Sequence, residues 1–370
     1  MRKVVVGVVG TGQISGIYLK NLTETFDAII EVKAVADQVP ELAAKRAEQF
    51  GVPNAWNVEQ LLADPDIELV LNLTAPAAHA PLNLAALQAG KHVYTEKPFA
   101  LTREEADEVL ELAAKRNLLV GCAPDTFLGG GLQTCRKLID DGWIGTPYSA
   151  NGTIVMGNAW NGLHPNFRNF LKFGGDPIMD MAPYYLTAMV FLLGPVRKVS
   201  GMARQLHREM TVRNPKSAAY GETVPIEAPT NISALFDFAG GAVGSLQAAK
   251  ESFGYTPRLE IFGTEGNLIA NDPNFFGGRV AVQFPSGETK EFPIAHGFTE
   301  DTRGIGLADM AYAIREGRGH RASGALARHV LDVSLGIFES SREERHVAVA
   351  STVERPDPLP LGLKYNRLDA

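Results

Sequence analysis

Lys3-Val4-Val5-Val6-Gly7-Val8-Val9, followed by Gly10-Thr11-Gly12-Gln13-Ile14-Ser15, decides the fold of this chain. The apolar run reads as a strand buried on both faces, the mark of a parallel sheet. The two glycines that follow permit a sharp turn and a close backbone approach to a ligand. A helix beginning at Ile14 points unpaired N–H groups and its positive dipole end into that turn, where a pyrophosphate fits. The turn departs from G-x-G-x-x-G at one place. Ser15 stands third, with Gly16 after it, and serine is small enough to keep helix and strand close. Gly10, Thr11, Gly12, Gln13 and Ile14 are therefore candidate cofactor contacts.

The next element extends that reading. Glu31-Val32-Lys33-Ala34-Val35-Ala36 reads as a second strand ending at Asp37, 22 residues past Ser15. That is close to the roughly 20 expected of a carboxylate that holds ribose hydroxyls. A carboxylate there repels a 2′-phosphate, and Gln38 rather than an arginine follows it, so the pattern favours NAD over NADP. Taken alone, Asp37 also reads as the N-cap of a helix entered through Pro40-Glu41-Leu42.

Strand and helix alternate through the first 122 residues. Helices are expected over 14–25, 41–49, 59–63, 82–89 and 102–115, the last with Thr102 as cap and Glu105 completing a capping box. Strands are expected over 68–73, 92–94 and 118–122. Strict alternation with short links predicts a doubly wound parallel sheet of the α/β class. Beyond Thr146 the alternation stops. Three hairpins, 231–238 with 242–250, 258–262 with 267–271 and 280–284 with 289–293, predict a mostly antiparallel sheet. Helices over 305–316 and 324–340 and a proline-rich tail, 355–360, follow. Two domains result, 1–123 and 124–370.

Composition limits the partners. The chain has 370 residues, 45% hydrophobic and 21% charged, with a net charge of −7 and no basic run, which argues against nucleic acid. No stretch is long and apolar enough to span a bilayer. Arg2-Lys3 before an apolar run resembles the start of a secretion signal, but that run is short and broken by Gly7. Two cysteines, Cys122 and Cys135, make neither a disulfide framework nor a zinc spacing, so no metal site is expected and a reducing cytoplasm is.

Three further clusters carry chemistry. Asn72-Leu73-Thr74-Ala75-Pro76-Ala77-Ala78-His79 lies at the carboxyl end of a strand, the edge that holds ligands in open α/β sheets. Thr74, Pro76 and His79 are placed along the cofactor path, although His79 equally reads as a helix-end residue. Glu96-Lys97-Pro98 follows the next strand, so Lys97 projects from the same edge, where the nicotinamide belongs, and a cis Lys97–Pro98 bond suits the turn. A desolvated lysine beside a cationic ring is expected to have a lowered pKa and to help remove a hydroxyl proton. Finally, Gly174-Gly175-Asp176-Pro177 leads into a helix expected from near Asp180 to Leu193, with Asp180, Tyr184 and Thr187 on one face. Alone, that trio also reads as an N-terminal helix acid above a core tyrosine.

Taken in order, Gly10-Thr11-Gly12, Glu96-Lys97-Pro98 and Gly174-Gly175…Asp180…Tyr184 resemble the Gfo/Idh/MocA oxidoreductases over about residues 3–340. The resemblance implies an N-terminal Rossmann domain for NAD(P) and a C-terminal α+β domain with a large, mostly antiparallel open sheet. That second domain would shape the pocket and join chains into homo-dimers or homo-tetramers. The implied reaction moves hydride between nicotinamide C4 and a secondary alcohol of a sugar or polyol. Lys97, Asp180 and Tyr184 are the implied catalytic residues, with Glu96 beside the cofactor. Many members have histidine where this chain has Tyr184, which leaves the proton-moving group open between Lys97 and Tyr184. A cation near Tyr184 is expected to lower its pKa. The resemblance also implies pocket residues Asp125, Trp160, His164 and Arg303. Two other readings use the same residues: a redox-neutral enzyme of glycosidase or lyase type that retains its NAD, and an NAD-sensing protein without turnover.

Overall fold

In the computed structural model, which describes residues 1–156, 162, 167–252, 254–363, 367 and 368, the chain builds two sheets. The first has six parallel strands: β1 (Val4–Val9), β2 (Ile30–Ala36), β3 (Asn54–Trp56), β4 (Leu69–Asn72), β5 (His92–Thr95) and β6 (Val120–Cys122). Their order is β3-β2-β1-β4-β5-β6, so the winding reverses between β1 and β4. Period-two alternation divides the strand residues between two apolar cores. Val4, Val6, Val8, Leu69 and Leu71 enter one, and Val9, Ala34, Ala36, Val70 and Val93 the other. Burial on both faces is why the central strands β1 and β4 read as nearly unbroken apolar runs.

The covering helices differ from expectation where proline or a tertiary contact intervenes. The first is α1 (Ser15–Lys20), which widens into a π-helical turn over Asn21–Thr25. Next come α2 (Pro40–Phe50) and α3 (Val58–Ala63). The helix expected over 82–89 is longer: α4 (Pro76–Gln88) begins with Pro76 in its first turn and accommodates Pro81. A proline suits the first turn because that N–H has no helical partner. In α5 (Arg103–Arg116), Thr102 accepts a bond from the Glu105 N–H as expected. Glu105, however, accepts from the Leu101 N–H, one residue before the cap, so the box is shifted.

The second sheet has nine strands: β7 (Pro147–Met156), β8 (Val196–Arg204), β11 (Asn231–Phe238), β12 (Val243–Ala249), β13 (Tyr255–Gly263), β14 (Asn267–Ala270), β15 (Val280–Gln283), β16 (Thr289–Phe292) and β17 (Val347–Ala348), ordered β16-β15-β14-β13-β7-β12-β11-β8-β17. The three expected hairpins are present as β11–β12, β13–β14 and β15–β16. β12 runs parallel to β7, which makes the sheet mixed. A short pair, β9 (Glu209–Thr211) with β10 (Thr223–Pro225), stands apart.

Helices α6 (Gly130–Asp140), α7 (Pro177–Asp180), α8 (Ala182–Leu193), α9 (Ile305–Glu316) and α10 (Gly324–Glu343) complete the chain. α8 lies on β7 and α10 on β8, covering one face of the second sheet. α10 also reaches α5 of the first sheet. Beside it the chain bridges Gly121 to Ser323, and His320 Nε2 stands 3.0 Å from the Val120 carbonyl oxygen. No helix among the described residues is long and apolar enough to cross a membrane.

Candidate active site

The carboxyl ends of β1, β2, β4 and β5 converge where the strand order reverses, the crevice in which open α/β sheets hold ligands. Two glycines after β1 have different reasons to be there. Gly10 has φ +97° and lies so near Leu73 that a Cβ would stand 2.6 Å from its carbonyl, so the fold itself demands glycine. Gly12 does not share this constraint, since a Cβ there would meet nothing within 4 Å. The bare backbone at Gly12, with exposed Gln13 and Ile14 beside it, fits a pyrophosphate that must come close. Asp37 closes the far side of the turn. It accepts the Thr11 N–H at 2.7 Å, the Thr11 hydroxyl at 2.8 Å and the Val39 N–H at 3.0 Å. Burial alone would raise its pKa, but these donors hold it below the ordinary value.

Thr74 follows β4. Its hydroxyl and N–H both donate to Asn72, which in turn donates to Asn83 and to the His79 carbonyl. Pro76 opens α4. His79 is buried, with ring nitrogens 2.7 Å from the Pro98 carbonyl and 3.0 Å from the Thr74 carbonyl. It therefore ties two turns together behind the crevice, and burial pulls its pKa below the ordinary value.

After β5, Tyr18 of α1 donates to Glu96 at 2.8 Å, and Glu96 accepts the Lys97 N–H at 3.0 Å. The Lys97–Pro98 bond is cis. The Lys97 ammonium lies 2.7 Å from Asp180 Oδ1 and 2.8 Å from the Asp180 carbonyl oxygen. It also stands 5.4 Å from the centre of the Tyr184 ring. Burial pulls its pKa down, but Asp180, Tyr184 and Glu96 more than offset this, so it is raised. This reverses the lowered value expected from the sequence: the carboxylate at contact distance outweighs desolvation.

The expected single helix over 180–193 is two. Asp176 caps α7, accepting from the Ile178 and Met179 N–H groups. Met181 then breaks the run, and α8 starts anew with Pro183 in its first turn. Proline at 183 has no N–H to give to Met179, so an unbroken helix would lose a bond there. Asp180 and Tyr184 are still brought together around Lys97. Thr187 lines a small cavity shared with Lys97, Cys122 and Ser334.

Arg303 reaches the cluster from the loop before α9, where its positive charge acts on the Tyr184 phenol. It also donates to Asp301 at 2.6 Å and to the Asn274 side chain at 2.8 Å. Two cations thus flank one phenol. Burial still dominates, and the Tyr184 pKa is raised rather than lowered as expected.

The sequence reading missed Lys250. Its ammonium is 3.1 Å from Asp180 Oδ2, bonds the Gly175 carbonyl, and lies 5.1 Å from the Phe170 ring centre. At 3% exposure it is a buried charge, and Asp180 is one carboxylate held between two ammonium groups. Burial would raise the Asp180 pKa, yet Lys97 and Lys250 hold it far below the ordinary value. One signal was available. Gly244, Leu246 and Ala248 face inward along β12, and the same alternation carries Lys250 inward.

Asp125 corrects another expectation. It does not line a pocket mouth but is buried beneath the start of α9, where one oxygen accepts the N–H groups of Gly304 at 2.8 Å and Gly306 at 3.0 Å. Burial pushes its pKa up to about 6 despite those donors. The folded chain thus takes up this proton near pH 6, the unfolded chain only near pH ~4. Stability from this group therefore falls as pH rises through that window. Asp125→Asn, which keeps an acceptor, should flatten urea-denaturation midpoints between pH 4.5 and 7 relative to wild type, by up to about 3 kcal/mol in unfolding free energy. Equal slopes for both proteins would contradict this account. Trp160 and His164 lie outside the described residues. Among the described residues, no group of three His, Cys, Asp or Glu is placed to hold a metal ion.

Comparison with known proteins agrees with this geometry. Residues 4–123 match the oxidoreductase family model with the NAD-binding Rossmann fold, and residues 132–269 match the C-terminal domain of the same family. The chain belongs to the Gfo/Idh/MocA oxidoreductase family. A levoglucosan dehydrogenase of Pseudarthrobacter phenanthrenivorans is 27% identical over 349 residues, 86% of this chain and 89% of that protein. A myo-inositol 2-dehydrogenase of Thermotoga maritima is 23% identical over 270 residues, 72% of this chain and 75% of that protein. A solved levoglucosan dehydrogenase in complex with NADH and L-sorbose superimposes with a TM-score of 0.82 at 25% identity, covering 95% of this chain and all of that one. In this Gfo/Idh/MocA protein, Tyr184 stands beside the Lys97–Asp180 pair, and Lys250 completes the charge cluster.

Proposed function

We propose that this protein is an NAD-dependent dehydrogenase of a sugar or polyol secondary alcohol. The observation that carries the reading is the Lys97–Asp180–Tyr184 cluster, set at the same sheet edge as the glycine turn. The relatives' activities on levoglucosan and inositol favour a ring with several hydroxyls. Asp37 at the end of β2, facing the turn, supports NAD over NADP.

Gly10, Gly12 and Asp37 would hold the dinucleotide, with Thr74 and Pro76 along its path and Glu96 and Lys97 beside its nicotinamide. Bound there, the cofactor supplies a two-electron hydride acceptor at C4 of its ring. Lys97 gives two of its ammonium hydrogens to Asp180, which leaves a third for the substrate oxygen. Asp180 keeps that ammonium charged and fixed in direction. Tyr184 is the group that passes the hydroxyl proton: burial raises its pKa, so it is protonated at neutral pH, and Lys97 and Arg303 offset part of that rise and favour its ionised form.

The outer face of the second sheet supports homo-oligomer formation. Met202, Leu235 and Val243 share that face and are 69%, 61% and 56% exposed, an apolar surface that a second copy would cover. The two buried, unpaired cysteines suit a cytoplasmic enzyme.

The test is a panel of levoglucosan, inositols and aldoses assayed for NADH formation, with NADP in parallel and light scattering for mass. NADH release with at least one polyol, a preference for NAD, and a mass of two or more chains are expected. Tight NAD binding without turnover across the panel would sink the dehydrogenase reading, and product without net NADH would replace it with redox-neutral chemistry.

A further inference from the structure

Asn21 sits where the helix of the glycine turn changes pitch. α1 ends at Lys20, and from Asn21 the chain makes a π turn closed by the Phe26 N–H on the Asn21 carbonyl at 2.8 Å. Neighbouring helix positions Tyr18, Leu19 and Leu22 are apolar or aromatic and fully buried. Asn21 is 4% exposed among them, a poor place for an amide unless its hydrogens are used. Both are: Nδ2 donates to the Asp301 carbonyl and to the Arg303 carbonyl, each at 2.9 Å. These two carbonyls bracket Thr302 and define the path of the loop before α9. The loop also packs on the same helix, since a Cβ on Gly304 would come within 3.2 Å of Leu22. From that loop the Arg303 guanidinium is held by Asp301 at 2.6 Å and by the Asn274 side chain at 2.8 Å, where its charge acts on Tyr184. The same helix orients the other side of the cluster, because Tyr18 donates to Glu96 directly before Lys97.

We infer that Asn21 is a positioning residue for Arg303, so that the helix starting at the dinucleotide turn also sets where that guanidinium stands beside the proton-handling groups. The inference rests on the dehydrogenase reading for its catalytic consequence, but its structural content does not. An amide carries no charge and does not titrate here, so its contribution is directional: it fixes two carbonyls and thereby one guanidinium. π turns occur often at functional sites, where an altered helical pitch re-aims a side chain.

The experiment compares wild type, Asn21→Ala, Arg303→Met and the double variant. Three quantities are read: kcat and KM on the best polyol, NADH affinity by fluorescence, and hydrogen–deuterium exchange over residues 299–306. Asn21→Ala should lower kcat about tenfold or more with NADH affinity within about twofold of wild type, and should speed exchange in that loop. In the Arg303→Met background the same substitution should change kcat by less than about twofold, because the group it positions is gone. Asn21→Leu, which keeps the branching and size but has no side-chain donor, should behave as Asn21→Ala, separating lost bonds from lost packing. Multiplying effects in the double variant, or unchanged exchange in the loop, would overturn the inference. Exchange and NADH binding need no turnover. A loosened loop in a protein that oxidises no polyol would count against the proposed function and leave the positioning role standing.

Discussion

Lys97→Met should abolish most polyol oxidation while leaving a folded protein that still binds NADH. The ammonium contributes a hydrogen bond and a charge at the reacting oxygen, and removal of such a group costs about 10²–10⁴ in rate. The fold should tolerate the change because Asp180 keeps a cation: Lys250 remains 3.1 Å from its second oxygen. Turnover measured as NADH absorbance should therefore fall by about a thousandfold, with NADH affinity changed little. Wild-type pH dependence is also fixed in sign. Lys97 and Tyr184 both have raised pKa values and carry their protons at neutral pH. Oxidation, which must pass a proton to this pair, should accelerate as pH rises from 7 toward 10, and ketone reduction should slow. Activity surviving in Lys97→Met would remove Lys97 from the mechanism, and oxidation that peaks in acid would remove the electrostatic assignment.

Asp180→Asn should be the most destabilising polar substitution in the site. It leaves two ammonium groups in a mostly buried place with no carboxylate between them. Breaking a buried ion pair by removing one partner costs about 3–5 kcal/mol, because the remaining charge keeps its desolvation penalty. Here two charges are orphaned and also repel each other. The double variant Asp180→Asn/Lys250→Met removes one of them and should recover a large part of the lost stability, although not activity. The acid limb follows from the same site. The folded pKa of Asp180 is depressed, so its stabilisation is complete above the unfolded value near ~4 and fades as pH falls below it. Chemical denaturation at pH 7 and at pH 3.5 reads both effects. A loss below about 1 kcal/mol, or a double variant no more stable than the single one, would show that the clamp contributes little.

The sequence made the first sheet legible because its signals are local. The apolar run at 3–9, the turn at Gly10–Ile14 and the acid at Asp37 each depend on neighbours or on one strand–helix unit. Lys97 was legible for the same reason: it directly follows a strand. Helix limits were misread where proline has two meanings. Pro76 starts a helix and Pro183 interrupts one, and only tertiary packing separates the cases. Long-range partners were beyond local reading. Lys250 meets Asp180 across 70 residues, and Asp125 meets Gly304 across 179. Neither residue type nor spacing marks Asp125 as the cap of a distant helix. The direction of two pKa shifts was also misjudged. For Lys97 a carboxylate at contact distance outweighs burial, and for Tyr184 burial outweighs two cations.

The late helices have a consequence for how the chain is made. β6 is one of the two edge strands of the first sheet, and part of its cover arrives 200 residues later, when His320 reaches Val120 and Ser323 bridges Gly121. A ribosome thus delivers the dinucleotide half with one flank bare long before the segment that closes it. Until then the unsatisfied rim of that strand is open to pairing with other nascent chains. Solubility of the half-made protein is therefore tied to residues near its far end, and a fragment stopping at Ala123 inherits the bare flank permanently.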